Sequence, residues 1–392
     1  MSLYPVAPEA KAVMNRLTDH GYEAYLVGGY VRNRVLGRPV TDLDITTNAS
    51  THDVLALFAD HKTSRVGERM GTIGIKISHA WVEVTTYRID SHSSNARHPD
   101  AIAFTGSLIE DLKRRDFTIN ALVLDQEGHL SDPIGGLPDL LAGIIRAIGN
   151  PDERFKDDAL RILRALRFGA QLGFSIEHAT GEALLRHQAL LDTLPVERIR
   201  TELDKLIAAD SLETIFYPFF DVLARCMAIS PQGLAGFEQF EAIELKMLTL
   251  LEHLSPQALH DELLRLKYPK RFCADMAKLA TLRLAKATTP RQIKYLLHDY
   301  GPDWLNLAIT YQDVKAIDGI DPDLAAHVLD QDPVYSLKQL AINGEDVVQA
   351  GLKGSKIQQT LDHLLIEVME DRLSNTREAL LTALGRILDE KA

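Results

Sequence analysis

Two aspartates one residue apart, Asp42 and Asp44, are the side chains in this sequence best suited to chemistry. They flank Leu43 in the run Thr41–Thr46, which reads as a strand, and side chains at i and i+2 of a strand share a face. Two carboxylates held side by side repel one another, so the arrangement is costly unless cations fill it. Hard cations such as Mg²⁺ favour carboxylate oxygen and bind together with substrate phosphates. A pair of such ions, roughly 3.5–4 Å apart, can hold both the attacking oxygen and the leaving group of an in-line displacement. Glu83, between Val82 and Val84, is a third carboxylate on a neighbouring run. Asp42, Asp44 and Glu83 are therefore the candidate catalytic residues, with Asp42 and Asp44 as the metal ligands. An isolated Asp-x-Asp is more often a solvated turn. Here Gly28-Gly29 stands upstream, where a strand runs into a helical stretch and glycine lets the backbone approach a phosphate. Arg32 follows as a fork-shaped donor for a triphosphate oxygen.

These groups need elements to hold them. Residues 8–20 have helical periodicity, and Ala24–Val27 is a short apolar strand. Thr72–Ile77 and Trp81–Tyr87 read as a hairpin, and Asn120–Asp125 as a further strand. After Asp132-Pro133-Ile-Gly-Gly-Leu-Pro138 the pattern becomes helical and stays so to the end. Pro256, Pro269, Pro290, Pro302, Pro322 and Pro333 punctuate the helices. The expected architecture is α+β: a head with a mixed sheet, then a long all-α region. Arg154–Phe168 reads as one helix, on which Asp158 and Arg161, three apart, share a face. A carboxylate accepts from an exocyclic amine and a guanidinium donates to ring acceptors. Cytosine and adenine both offer an amine beside an unprotonated ring nitrogen, whereas guanine and uracil offer a carbonyl and an N–H. Spacing alone favours a plain surface ion pair.

The run Leu26-Val-Gly-Gly-Tyr-Val-Arg-Asn-Arg…Asp42-Leu-Asp-Ile45 resembles the signature of the polymerase-β-type nucleotidyltransferases, in the version of bacterial class II CCA-adding enzymes and their poly(A) polymerase relatives. Asp111-Leu-Lys-Arg-Arg-Asp-Phe-Thr-Ile-Asn-Ala121 is similar to that family's second motif, implicated in ribose selection. The resemblance makes Arg114 and Arg115 phosphate partners and gives Asp116 and Asn120 hydrogen bonds to ribose hydroxyls. Residues 154–168 resemble the Glu-Asp-x-x-Arg templating motif, which puts Asp158 and Arg161 on the base-reading positions and Arg164 and Arg167 among the nucleotide-binding residues. The family's Glu is Asp157 here, and the Asp common after its first Val-Arg is Asn33. The polar stretch Ser91–Ala103 corresponds to a loop needed for the switch from C to A addition. Pro195–Ile207 resembles a further motif, with Glu197–Arg200 and Arg198–Glu202 at helical ion-pair spacings. The family's organisation implies a nucleotidyltransferase head (1–140), a neck that recognises the nucleobase (141–210), an RNA-binding body (211–310) and a tRNA-binding tail (311–392). It implies template-independent addition of C, C and A to the 3′ end of tRNA from CTP and ATP, dependent on Mg²⁺. An A-adding enzyme or poly(A) polymerase of the same fold is the alternative, and a non-catalytic tRNA-binding protein a remoter one.

Composition fits this reading. The chain has 392 residues, a net charge of −12, and 46% hydrophobic residues, as expected of several globular domains. Overall acidity argues against indiscriminate nucleic-acid binding, but Arg265–Lys294 holds nine basic residues and one acid, Asp275. Within it Lys267, Lys270, Arg271, Arg283, Lys286, Arg291 and Lys294 are candidate RNA contacts along a phosphate track. Only Cys226 and Cys273 are present, at no zinc or redox spacing, and the N-terminal residues have no signal-peptide pattern. No apolar stretch is long enough to span a bilayer. The expectation is a cytoplasmic protein without a membrane or an obligatory protein partner, a homodimer being left open. The isolated pairs His260-Asp261 and His298-Asp299 lack the further ligands of a metal phosphohydrolase.

Overall fold

A computed structural model describes residues 3–40, 42–90 and 102–389. The stretch Ser91–Ala103 thus lies almost wholly outside the described residues. The chain divides into two compact units, Met1–Pro231 and Gln232–Ala392.

The first unit is built on a seven-stranded mixed sheet. Its strands are β1 (Ala24–Val27), β2 (Leu43–Thr47), β3 (Thr63–Ser64), β4 (Thr72–Ile77), β5 (Ala80–Thr86), β8 (Val123–Leu124) and β9 (Leu130–Ser131), in the order β3-β4-β5-β2-β1-β8-β9. A separate two-stranded pair joins β6 (Arg88–Asp90) to β7 (Ile102–Phe104). Strands β4 and β5 form the expected hairpin, turning at Ser78 with φ 51°. Ile73, Ile75, Val82, Val84 and Ile45 are buried on one face, each contributing roughly 1.5–3 kcal/mol. The helix Pro8–Asp19 brings Ala10, Val13, Met14 and Leu17 against the sheet. Alternation puts Asp44, Thr46, Glu83 and Thr85 on the opposite face. There the buried Asp111, from the helix Leu108–Lys113, accepts a hydrogen bond from Thr46 Oγ1 (3.0 Å). The expected strand Asn120–Asp125 is shorter than its pattern suggests: Thr118–Asn120 is a 3₁₀ turn and pairing begins only at Val123.

Two helices follow the sheet, Pro151–Asp157 and Leu160–Leu172. The expected single helix over 154–168 is therefore broken. Asp158 has an extended backbone (φ −148°, ψ 105°), and its Oδ1 accepts the Leu160 N–H at 3.1 Å. Asp favours helix starts for this reason: its side chain satisfies an N–H that the first turn leaves unpaired. Leu160–Leu172 packs on the helix Val196–Ile207.

The second unit is helical among its described residues. Pro256, Pro290, Pro302 and Pro322 each sit in the first turn of a helix, where the missing N–H costs nothing. Its C-terminal part closes around Leu340, Ile342, Val347, Leu361, Leu364, Leu365, Leu380 and Leu384.

Candidate active site

The parallel pairing of β2 with β5 sets Asp44 directly opposite Glu83. Asp42 lies one residue before β2 and is exposed. Burial, with Glu83 and Asp42 alongside, pushes the Asp44 carboxyl up to about 6, while Arg115 pulls it down. Burial and like charges close by both disfavour the ionised form of a carboxyl group. Gly28 borders it: its backbone (φ 73°, ψ −136°) is one that only glycine adopts readily, and a Cβ there would stand 3.8 Å from Asp44 Oδ2. The set suits an oxygen-loving divalent cation. The three carboxylates are not drawn into one tight cage, however. Among the described residues only Asp125, Glu127 and His129, on the β8–β9 turn, bring three ligand atoms within 4.8 Å of one another.

Asp42 and Asp44 open into a cavity of about 730 Å³. Its wall also carries Gly28, Gly29, Arg32, Arg114, Arg115, Asp116, Asn120, Asp158, Arg161, Arg164 and Arg167. Every nucleotide-binding residue expected from sequence is thus on this wall, while Glu83, exposed and opposite Asp44 in the strand register, is not part of the lining. The arginines are held by a chain of buried acceptors. Asp111 takes Arg114 at 2.9 Å and Arg115 at 3.1 Å. Asp116 Oδ2 takes Arg164 Nε and Nη2 at 2.8 and 2.6 Å. Asp116 Oδ1 accepts from the Phe117 N–H and from Asn120, whose own oxygen accepts from Arg32 at 2.8 Å. Burial alone would raise the Asp116 carboxyl, but Arg164 and these hydrogen bonds hold it below the usual range. Arg32 is pushed down to about 10 by burial and by Arg167. Arg32, Arg164 and Arg167 stand within 4.9, 5.3 and 4.1 Å of the Phe168 ring centre, whose face favours cations. The buried Glu202 lies 3.0 Å from Arg167. Guanidiniums packed this closely create a positive recess suited to a triphosphate.

Asp158 and Arg161 share the cavity wall, but not one helical face, because Asp158 occupies the break. Arg161 Nη2 donates to the Arg114 carbonyl at 2.9 Å and Nη1 to the Arg154 carbonyl at 3.2 Å. Asp158 is paired instead with Arg198, at 3.2 and 3.4 Å. This corrects the expected Arg198–Glu202 pair, since Glu202 turns inward to Arg167. Lys205 and Phe168 line the cavity without having been singled out from sequence, and Arg198, expected only as an ion-pair partner, lines it too.

Comparison with known proteins places this cavity in context. The poly A polymerase head domain matches residues 24–146, the RNA and SrmB-binding site of polymerase A residues 173–218, and tRNA nucleotidyltransferase domain 2 residues 238–384. The CCA-adding enzyme of Ligilactobacillus salivarius is 34% identical, the alignment spanning 98% of this chain and 97% of that protein. That of Geobacillus stearothermophilus is 32% identical over 96% of each. The chain belongs to the CCA-adding enzymes. The crystal structure of the Bacillus stearothermophilus CCA-adding enzyme in complex with CTP superimposes with a TM-score of 0.78, at 30% identity and covering 99% of this chain and all of the other. The CCA-adding enzyme of Thermotoga maritima complexed with tRNA, at 19% identity and a TM-score of 0.63, shares the fold. In this chain the α+β head is followed by helical domains.

In this CCA-adding enzyme the basic run of the second unit is less free than its sequence suggests. Arg283 is buried and donates to the Glu252 carbonyl at 2.7 Å, so it is removed from the surface set. Lys286 pairs with Asp318, Arg291 with Glu370, and Lys294 with Asp371 at 2.7 Å. Lys267, Lys270 and Arg271 are exposed. Replacing both Lys270 and Arg271 by alanine is expected to reduce the slope of log affinity for tRNA against log salt by about 1.5, at roughly 0.7–0.9 per lost phosphate contact. Arg283→Ala is expected to leave the slope alone and cost about 1–3 kcal/mol of stability. Filter binding over a salt series and denaturant unfolding check the two.

Proposed function

We propose that this chain adds C, C and A to the 3′ end of tRNA from CTP and ATP, without a nucleic-acid template, releasing pyrophosphate. The observation that carries this reading is the single cavity that joins the Asp42/Asp44 pair to Asp158 and Arg161. The family depends on a divalent metal, and here Mg²⁺ is the proposed ion, held by Asp42 and Asp44 with Glu83 beside them. Bound there, it would lower the pKa of the attacking hydroxyl and neutralise charge on the phosphates. Arg32, Arg115, Arg164 and Arg167 cradle the triphosphate; Asp116 fixes Arg164 and Asn120 fixes Arg32, and both border the ribose. The RNA 3′ oxygen bonds to the α-phosphorus as the bond to the pyrophosphate oxygen breaks. Asp158 accepts from the amine of cytosine or adenine, and Arg161 donates to the adjacent ring nitrogen. Guanine and uracil would set a carbonyl against the carboxylate and an N–H against the guanidinium. The exposed Lys267, Lys270 and Arg271 are the proposed RNA contacts of the second unit. Among the described residues no helix is long and apolar enough to cross a membrane, and the cytoplasm is the proposed setting.

The test supplies tRNA lacking its end, ending in C, or ending in CC, with CTP, ATP or both, and reads product lengths on a gel. Completion of all three substrates is expected. Extension of the CC end alone, or untemplated poly(A) growth, overturns the proposal. Arg161→Ala is expected to lower discrimination against UTP and GTP by about tenfold or more, with a smaller effect on tRNA affinity. Full discrimination in that variant would refute the base-reading role.

A further inference from the structure

We infer that Arg198 is a positioning residue for nucleotide selection: it fixes the carboxylate of Asp158 from a separate helix. The inference rests on the base-reading role proposed for Asp158 and Arg161. The two members of that pair are held differently. Arg161 is gripped from two sides by the carbonyls of Arg114 and Arg154. Asp158 sits in the break between Pro151–Asp157 and Leu160–Leu172, with an extended backbone, so no helical geometry aims its side chain. Within its own segment the carboxylate has one tie, the Leu160 N–H on Oδ1. A carboxylate pinned at one oxygen can still swing about that contact. Arg198 Nη2 removes this freedom by donating to Oδ2 at 3.2 Å and Oδ1 at 3.4 Å.

The support behind Arg198 is firm although its side chain is half-exposed. It lies in the first turn of Val196–Ile207, which begins after Pro195 and buries Ile199, Leu203, Leu206 and Ile207. The same helix carries Glu202 against Arg167. One helix thus touches both the base end of the cavity, through Arg198, and the arginine recess, through Glu202. An ionised carboxylate accepts at about four lone-pair sites. The Leu160 N–H and Arg198 leave acceptor capacity on Oδ2 for an exocyclic amine. Because Arg198 only donates, the oxygens it holds present themselves as acceptors, which suits cytosine and adenine and repels the carbonyl of uracil or guanine. Misaiming Asp158 by a fraction of an ångström weakens the favourable contact and relieves the unfavourable one together, so the effect falls on selectivity.

The experiment measures kcat and KM for CTP and UTP, on tRNA lacking its end, in the full chain and in Arg198→Ala, Arg198→Lys and Asp158→Ala, with melting temperatures for all. In Arg198→Ala the CTP/UTP ratio of kcat/KM is expected to fall about tenfold, with partial recovery in Arg198→Lys. An exposed ion pair contributes little stability, so the melting temperature should change by no more than a few degrees. An unchanged ratio in Arg198→Ala beside a collapsed ratio in Asp158→Ala overturns the inference and leaves the base reader standing. An unchanged ratio in Asp158→Ala overturns the reader, and the inference with it. Equal losses on CTP and UTP together with a large drop in melting temperature assign Arg198 to stability alone and overturn the inference too.

Discussion

Asp44→Asn will reduce nucleotide incorporation at least about a thousandfold and, in chelator at pH 8, raise the melting temperature of the protein. The two effects have one origin. Asp44 lies against Glu83 in strand register and lines the cavity with Asp42. Burial and these neighbours hold its carboxyl up at about 6 against an ordinary value of 3.8. Such a group takes up a proton more readily in the folded than in the unfolded state. Its stabilising contribution is complete below about 4 and is lost as pH rises through about 6. Above that the metal-free fold carries a repulsive charge that asparagine removes. The gain from Asp44→Asn should therefore grow between pH 4 and pH 6 and stay level to pH 8. Each kcal/mol regained corresponds to about 2–4 °C in a cooperative unit of roughly 150–250 residues, a range that includes the unit Met1–Pro231 that carries Asp44. Adding Mg²⁺ at pH 8 should raise the melting temperature of the parent protein and leave the variant nearly unmoved. Thermal scans with and without metal, together with tRNA binding, check the set; tRNA affinity should hold. A variant that incorporates CTP at the parental rate removes Asp44 from the metal site.

The chemistry at the head of the molecule was legible because it is local. An i,i+2 carboxylate pair, a Gly-Gly turn and two apolar runs joined by a short turn declare themselves within a few positions, and the strands they imply at Ala24–Val27 and Thr72–Ile77 are present. What escaped depends on partners distant along the chain. The break at Asp158 carries no Pro or Gly, and the apolar period runs across it through Phe155, Ala159, Ile162 and Leu163. Only the preference of Asp for capping could have signalled it. The basic run looked open because its acids, Asp318, Glu370 and Asp371, lie 32 to 79 residues away. Arg198 and Glu202 are four apart and were natural partners on spacing, yet each found a stronger one across a helix interface. An i,i+4 pair contributes only about 0.3–0.5 kcal/mol, too little to hold Glu202 at the surface when a half-enclosed arginine recess needs a counter-charge.

That recess gives the second large effect. Arg164→Ala should destabilise the fold by about 3 kcal/mol, more than Asp116→Ala, although the two residues form one pair. Asp116 is 7% exposed, whereas the Arg164 side chain is about a third exposed. Removing the arginine strands a carboxylate that cannot reach water and keeps only the Phe117 N–H and Asn120. Removing the aspartate leaves a guanidinium that can turn toward solvent and still has Glu202 at 4.0 Å. The double variant should cost less than the sum of the singles by about 1–3 kcal/mol, as expected for residues sharing one network. Urea unfolding of the four proteins measures the cycle. All three variants should also lose activity, because Asn120 depends on Asp116 and Arg32 depends on Asn120, so the array facing the triphosphate loosens from either end. If Asp116→Ala proved the more damaging to stability, the burial asymmetry that decides the order would be refuted. If the singles summed to the double, Asp116 and Arg164 would not act as one unit, and the arginines would owe their positions to Phe168 and Glu202 instead.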